Sequence, residues 1–315
     1  MEKNISLQPK RRSLGRRIKN AWQLYLFLLV PVVITLLFKY WPMAGVQIAF
    51  KDYDYRWGIW GSEWVGLKHF VRFFKSYMAG RVISNTLRIS LYNLACFPLP
   101  VIFALLLNLV PNPRYKKLVQ SVTYMPHFIS TVVLVGILSQ ILNTHTGLYA
   151  HAYRAFAGET ANVTDILGIG TAFPHLYVWS GVWQSLGFNS IIYVAALSSV
   201  DASLHEAAEI DGANRFQRVI HIDLPAILPT VSIMLILAFG NVMSIGYEKA
   251  YLMQNTLNTR YSEIISTYVY KVGIQTGGGN FSFGTAIGLF NSVVNFVLLT
   301  VVNYLSGKIG GSSLW

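Results

Sequence analysis

Six stretches of this chain contain no Asp, Glu, Lys or Arg over at least 19 residues: 20–38, 89–113, 118–153, 166–200, 224–247 and 272–307. A helix needs about 20 mostly apolar residues to cross the hydrocarbon core of a bilayer. A charge at mid-membrane costs roughly 2.5–3.5 kcal/mol. Each stretch is therefore a candidate span, and we place the spans near 21–41, 83–108, 119–142, 174–199, 226–247 and 283–306. Arg88 falls inside the second, near its end, where a long side chain can reach the interface. Charged residues make up 12% of the 315 positions, half the roughly 25% of soluble domains. Such a chain cannot cover a water-facing surface with charge. The expected fold class is an all-α polytopic membrane protein with six transmembrane helices.

Charge also orients the chain. Lys3, Lys10, Arg11, Arg12, Arg16, Arg17 and Lys19 directly precede the first span, and the positive-inside rule puts that tail in the cytoplasm. Six spans return the C-terminus to the same side, with Arg114, Lys116, Lys117, Arg215, Arg218 and Lys308 on short cytoplasmic segments. The organisation read this way is a basic tail at 1–20, a first helix at 21–41, an aromatic-rich outer segment at 42–82, a core at 83–307 and a short tail at 308–315. The apolar run at 21–38 is too long for a cleavable signal and no small-x-small site follows, so it reads as an anchor. Its basic cluster suits anionic lipid; no nucleic-acid fold motif accompanies it.

The outer segment carries Tyr53, Tyr55, Trp57, Trp60, Trp64, Phe70, Phe73 and Phe74, either an interfacial belt or a surface for a partner. The single cysteine, Cys96, reads as a small buried apolar residue and excludes any disulfide within the chain and any Cys-based metal site. Gly277-Gly278-Gly279-Asn280 reads as a flexible turn into the last span, without the lysine of a phosphate-binding loop. No metal site is read from the histidines: His127 has no second His, Cys or carboxylate at helical spacing in its span.

The connection at 200–225 differs from its surroundings. Asp201, Glu206, Glu209, Asp211 and Asp223 are five of the chain's 13 acids. Residues 202–211 favour helix, a second helical stretch is expected at 213–221 after Gly212, and Pro225 marks entry into the fifth span. Glu206-Ala207-Ala208, Gly212, Ile222, Leu224 and Pro225 fall in the pattern E-A-A-x3-G-x9-I-x-L-P, whose seven fixed residues match by chance at any one start with probability on the order of 10⁻⁸.

On these residues the chain resembles the permease subunits of ABC importers, type I, with the MetI-like fold. Trp183 to Leu197, Val65-Gly66-Leu67 before Phe70, and Asn85-Thr86 extend the likeness toward oligosaccharide and polysaccharide permeases. The resemblance implies a bacterial plasma-membrane subunit that pairs with a second, homologous permease. It also implies two cytoplasmic ATPase subunits, which bind the ATP and Mg, and an extracytoplasmic sugar-binding protein; this chain itself is expected to be no enzyme and to hold no cofactor. In that family the loop seats in a groove of the ATPase. Glu206 would make the polar contact, Ala207 and Ala208 the close approach, and Gly212 the turn.

A sugar pathway needs inward polar and aromatic side chains, and polar residues within spans usually face a bundle or cavity. The candidates are Tyr124, His127, Gln184, Asn189, Asn241, Tyr247, Asn291 and Asn295; the last two share a helix face. Pro126 is expected to kink the third span, and Pro98 and Pro100 the second. Lys51, Arg56, Lys68 and Arg72 could meet an acidic polymer from the outer side. No G-x4-G-K-[ST] occurs, so the chain is not itself an ATPase of that class. The six windows hold no carboxylate, which argues against a proton-coupled secondary transporter. The alternatives kept open are an ABC permease for glycerol-phosphate or peptide, and an ion-coupled transporter.

Overall fold

The computed structural model describes residues 21–275, 279–310 and 314, and these are helical almost throughout. The seven bases of the N-terminal tail, and Gly277 and Gly278, lie outside the described residues.

Helix α1, Trp22–Phe50, is longer than the expected 21–41. It relaxes through a π-helical turn at Leu36–Tyr40 into a 3-10 segment at Ala44–Phe50. None of its most apolar window is buried. That window is apolar all round and unpacked within its own chain, so it is built for lipid or for another chain; only the 3-10 segment packs, burying Ala49 against the last long helix.

The outer segment is ordered. Strands β1 (Lys51–Asp52) and β2 (Glu63–Trp64) pair antiparallel, Lys51 opposite Trp64. Helix α2, Lys68–Lys75, follows and buries His69 and Phe73. The aromatics divide: Phe73 is core, Phe50 stacks on Trp64, and Tyr55, Trp57 and Trp60 stand exposed. The bases expected to meet a polymer are largely engaged in this fold. Lys51 is buried and donates to the Ile59 and Trp60 carbonyls. Lys68 pairs with Asp52 at 2.6 Å and holds that carboxyl below the usual range. Arg72 lies over the Phe283 ring.

Helices α3 (Tyr77–Ala95) and α4 (Pro98–Asn108) form one 32-residue apolar stretch. It is interrupted at Cys96 and Phe97, where Pro98, lacking an N–H, starts the helix again. Arg88 lies nearer the middle of this stretch than the expected boundary implied, and its guanidinium leans on the Tyr261 ring. Asn85 and Thr86 are structural. The Asn85 amide donates to the Arg260 and Glu263 carbonyls, and Thr86 Oγ1 accepts from the Ile265 N–H.

The third expected span, 119–142, is not one rod. Helix α5 (Pro113–Tyr124) continues as a 3-10 turn to Phe128, and α6 (Thr131–Ile141) leaves it at 99°. Pro126 cannot supply a helical N–H, Ile129 is extended, and Ser130 caps α6 by accepting from the Val133 N–H. Pro126 thus marks a break rather than a kink.

Helix α7, Leu148–Ala157, precedes the central helix α8, Phe173–Leu197. At 1.5 Å per residue α8 is long enough to span, roughly 37 Å, but it falls short in apolarity because Ser180, Gln184, Ser185, Asn189 and Ser190 interrupt it. It packs against α3, α4 and α5, so polar side chains need not meet lipid. A Cβ at Gly187 would run into the Thr123 carbonyl, so that glycine permits the contact with α5.

Helix α9, Ala202–Ile210, is followed by α10, Arg215–Gly240. Short helices α11 (Tyr247–Met253), α12 (Thr259–Ser262) and α13 (Ile265–Tyr270) lead to α14, Phe281–Gly310. Among the described residues four stretches are long and apolar enough to cross a membrane: α1, α3–α4, α10 and α14. The bent α5–α6 pair makes a fifth if counted as one span. Three apolar clusters join them. One gathers α3, α6, α8 and α11 around Phe173; one gathers α2, α3, α13 and α14 around Phe73; one gathers α4, α8 and α10 around Tyr193.

Candidate functional site

The 200–225 connection is a short helix, α9, stopped by a defined turn and followed directly by α10. Asp201 caps α9 by accepting from the Ser203 N–H, a bond that holds its carboxyl below the usual range. At the other end the Ala213 N–H reaches the Ala208 carbonyl and the Gly212 N–H reaches Glu209, a Schellman stop. Gly212 makes it possible at φ +82°, in the left-handed region. No neighbour crowds it, so conformation, not space, demands glycine there.

Asn214 then opens α10 with a capping box to Gln217. The expected separate helix at 213–221 is instead the first part of α10. It passes through a π-helical stretch, Val219–Asp223, into Leu224–Gly240. The wider turn absorbs Pro225 one step inside the helix, where its ring would otherwise crowd the preceding turn. Pro225 thus stands in the first turn of Leu224–Gly240, as expected, but the chain is already helical ten residues earlier.

Glu206 and Ala207 face outward, while His205 and Ala208 are half-buried. Ile222 and Leu224 are half-buried too, and Pro225 is exposed. Nε2 of His205 lies 3.3 Å from Oδ1 of the buried Asp223, and Arg218 pairs with Glu209 at 2.9 Å. Ile210 is 87% exposed and Phe216 69%. Glu206 and Ile210 are exposed on α9 and Phe216 at the start of α10, and exposed large apolar side chains suit a partner contact. The sequence reading missed Ile210, Phe216 and the His205–Asp223 pair; exposure and cross-helix contact have no local sequence signal.

A cavity of about 1000 Å³ lies between the α3–α4 break, α8 and the end of α10, at the upper end of the ~300–1,000 Å³ of ordinary ligand sites. Of the expected pathway residues, Gln184, Asn189 and Asn241 line it. Gln184 also donates to the Ile129 carbonyl, which ties the α5–α6 break to α8. The other five lie outside its lining. Tyr124 is half-buried at the end of α5. His127 stacks on Phe188 at 3.7 Å. Tyr247 sits with Tyr251 and Tyr270 in an aromatic trio. Asn295 accepts from the Met243 N–H and donates to Ser244, fixing the turn that ends α10. Asn291 is half-buried on the same helix. Cys96 is not fully buried; it borders the cavity.

Lys249 also lines this cavity. The sequence did not single it out, because its position depends on the chain breaking at Gly240 and turning back.

The family model for the binding-protein-dependent transport system inner membrane component matches residues 73–311. The polygalacturonan/rhamnogalacturonan transport system permease protein YteP of Bacillus subtilis (strain 168) is 40% identical over 312 residues, covering 99% of this chain and 96% of that protein. A bacterial alginate ABC transporter, solved in complex with an alginate pentasaccharide-bound periplasmic protein, has a chain with TM-score 0.85 and 35% identity, covering 96% of this chain and 99% of that one. A bacterial ABC transporter involved in import of the acidic polysaccharide alginate gives TM-score 0.84 and 36% identity, over 94% and 99% of the two chains. The chain belongs to the family of binding-protein-dependent transport system inner membrane components.

Proposed function

We propose that the chain is the transmembrane permease subunit of an ATP-driven importer that moves an oligosaccharide or polysaccharide fragment into the bacterial cytoplasm by alternating access. The observation that carries this reading is the rigid path from α9 through Gly212 into α10. A knob that is one solid piece with a span can turn the motion of a docked protein into rocking of that span. Glu206, Ala207 and Ala208 form its contact with the partner, Gly212 sets the turn, and Ile222, Leu224 and Pro225 join it to the helix.

The partners follow from the family. They are a second, homologous permease, two cytoplasmic ATPases that carry the ATP and Mg, and an extracytoplasmic sugar-binding protein. The bare face of α1 supports a further transmembrane chain or lipid beside it. Six spans with both termini cytoplasmic is the topology we assign, α8 being the span lined with polar groups. The relatives named for polygalacturonan and alginate support an acidic sugar polymer as cargo. Gln184, Asn189 and Asn241 are its nearest polar contacts in this chain. A glycerol-phosphate or peptide cargo is the second reading, since Lys249 offers a cation that any anion could use.

The test is co-purification. A tagged chain expressed with a second permease and an ATPase of this family should carry both through detergent extraction, and a cysteine at position 206 should cross-link to the ATPase. A chain that purifies alone and moves cargo on an ion gradient overturns the reading.

A further inference from the structure

The cavity wall contains one charged side chain, Lys249, among its described residues. Its ammonium donates to the Tyr177 carbonyl at 2.8 Å and lies 4.7 Å from the Tyr177 ring centroid. An ammonium has three donors, and among the described residues no carboxylate pairs with this one. The remaining wall is neutral: Ser90, Asn93, Gln184, Asn189 and Asn241, with apolar and aromatic surface between them. Removing a cation from water without a counter-charge is costly, and burial depresses the Lys249 ammonium to about 8. A lone cation held by a carbonyl and a ring, in a cavity without an acid, is arranged for an anion that arrives from outside.

We propose that Lys249 is the carboxylate-binding residue of the translocation cavity, pairing with the uronate group of an acidic oligosaccharide while the neutral amides of α8 meet its hydroxyls. This assignment rests on the importer reading above and deepens it. It also moves cargo recognition away from Lys51 and Lys68, which the outer ribbon already engages. Charge-assisted hydrogen bonds are roughly twice as strong as neutral ones, so loss of the ammonium should discriminate between charged and neutral sugars of equal length.

The test uses the complete importer in proteoliposomes with two cargoes: an oligogalacturonate and its carboxyl-reduced counterpart. We expect Lys249→Gln to lower uptake of the acidic cargo relative to the neutral one at least tenfold, and Lys249→Arg to restore the ratio to within about threefold of wild type. Equal loss of both cargoes in Lys249→Gln with no rescue by arginine means a structural role and overturns the assignment. An unchanged ratio does the same. Entry of neither sugar into wild-type vesicles, with glycerol-phosphate or a peptide entering instead, overturns the sugar reading itself and this assignment with it.

Discussion

The imidazole of His205 and the carboxylate of Asp223 stand 3.3 Å apart although they belong to different helices, α9 and α10. Asp223 is 2% exposed and lies where the π-helical stretch ends. A carboxylate so placed cannot be solvated by bulk water; its Oδ1 makes no hydrogen bond among the described residues, and the His205 imidazole is the basic group beside it, an ion-pair partner when protonated. The pair fastens the knob to the base of a membrane helix. The Arg218–Glu209 contact spans the same gap, but its carboxylate is exposed, and exposed pairs contribute little.

Removing His205 should therefore matter more than removing Glu209. His205→Ala removes the imidazole beside a buried acid whose Oδ1 has no hydrogen bond, at a cost of about 1–3 kcal/mol. We expect a lower Tm and more ATP hydrolysed per cargo moved, with much of the loss recovered in His205→Ala/Asp223→Ala. Glu209→Ala should change either quantity little. Thermal unfolding and the hydrolysis-to-uptake ratio check both.

Gly212 makes a graded test of rigidity. Alanine there must hold a left-handed backbone at about 1–2 kcal/mol, while proline also removes the N–H that reaches Glu209. Uptake should fall severalfold in Gly212→Ala and be abolished in Gly212→Pro. Hydrolysis by the docked ATPase should continue in both. Normal transport in Gly212→Pro would contradict a rigid transmission path.

The outward face of the knob should decide docking without affecting the fold. Glu206→Lys and Ile210→Glu change exposed side chains, so Tm should hold within the small range of surface substitutions. Capture of the ATPase from detergent extract should drop at least tenfold. Retained capture would show that docking lies elsewhere.

Uptake of a uronate cargo should depend on pH through Lys249, which sits beyond the end of α10. Its ammonium is lowered to about 8 by desolvation, so the charge is present below that pH and lost above it. Tyr177, Tyr193 and Cys96 are the other titratable groups in the wall; they are neutral near pH 7. Glu248, its neighbour in sequence, is exposed. From pH 7 to 9 acidic-cargo uptake should fall about tenfold relative to the carboxyl-reduced cargo, and Lys249→Arg should be nearly flat.

What the sequence revealed was whatever is local. Four of the charge-free windows located apolar stretches, and a fifth the bent α5–α6 pair, because lipid exposure is recorded residue by residue; the window at 166–200 holds α8, which is long but too polar to count with them. The knob was visible because its acids, Gly212 and the E-A-A pattern lie within one short segment. The break at Phe128–Thr131 was only half visible: Pro126 announced a distortion, but 99° depends on Ser130 starting a new helix. Asn295 and Asn241 look alike as sequence, yet one fixes a turn and the other borders the cavity. That difference arises from packing between α10 and α14, which no spacing records. Lys249 was hidden for the same reason, since the cavity is assembled from three parts of the chain far apart in sequence.

The most direct measurement is uptake of an oligogalacturonate by the reconstituted complex, with ATP supplied or withheld and with an ion gradient imposed or collapsed. Uptake that requires ATP, ignores the gradient and disappears in Glu206→Lys is the expected result. Uptake driven by the gradient without ATP, unchanged in Glu206→Lys, would contradict it.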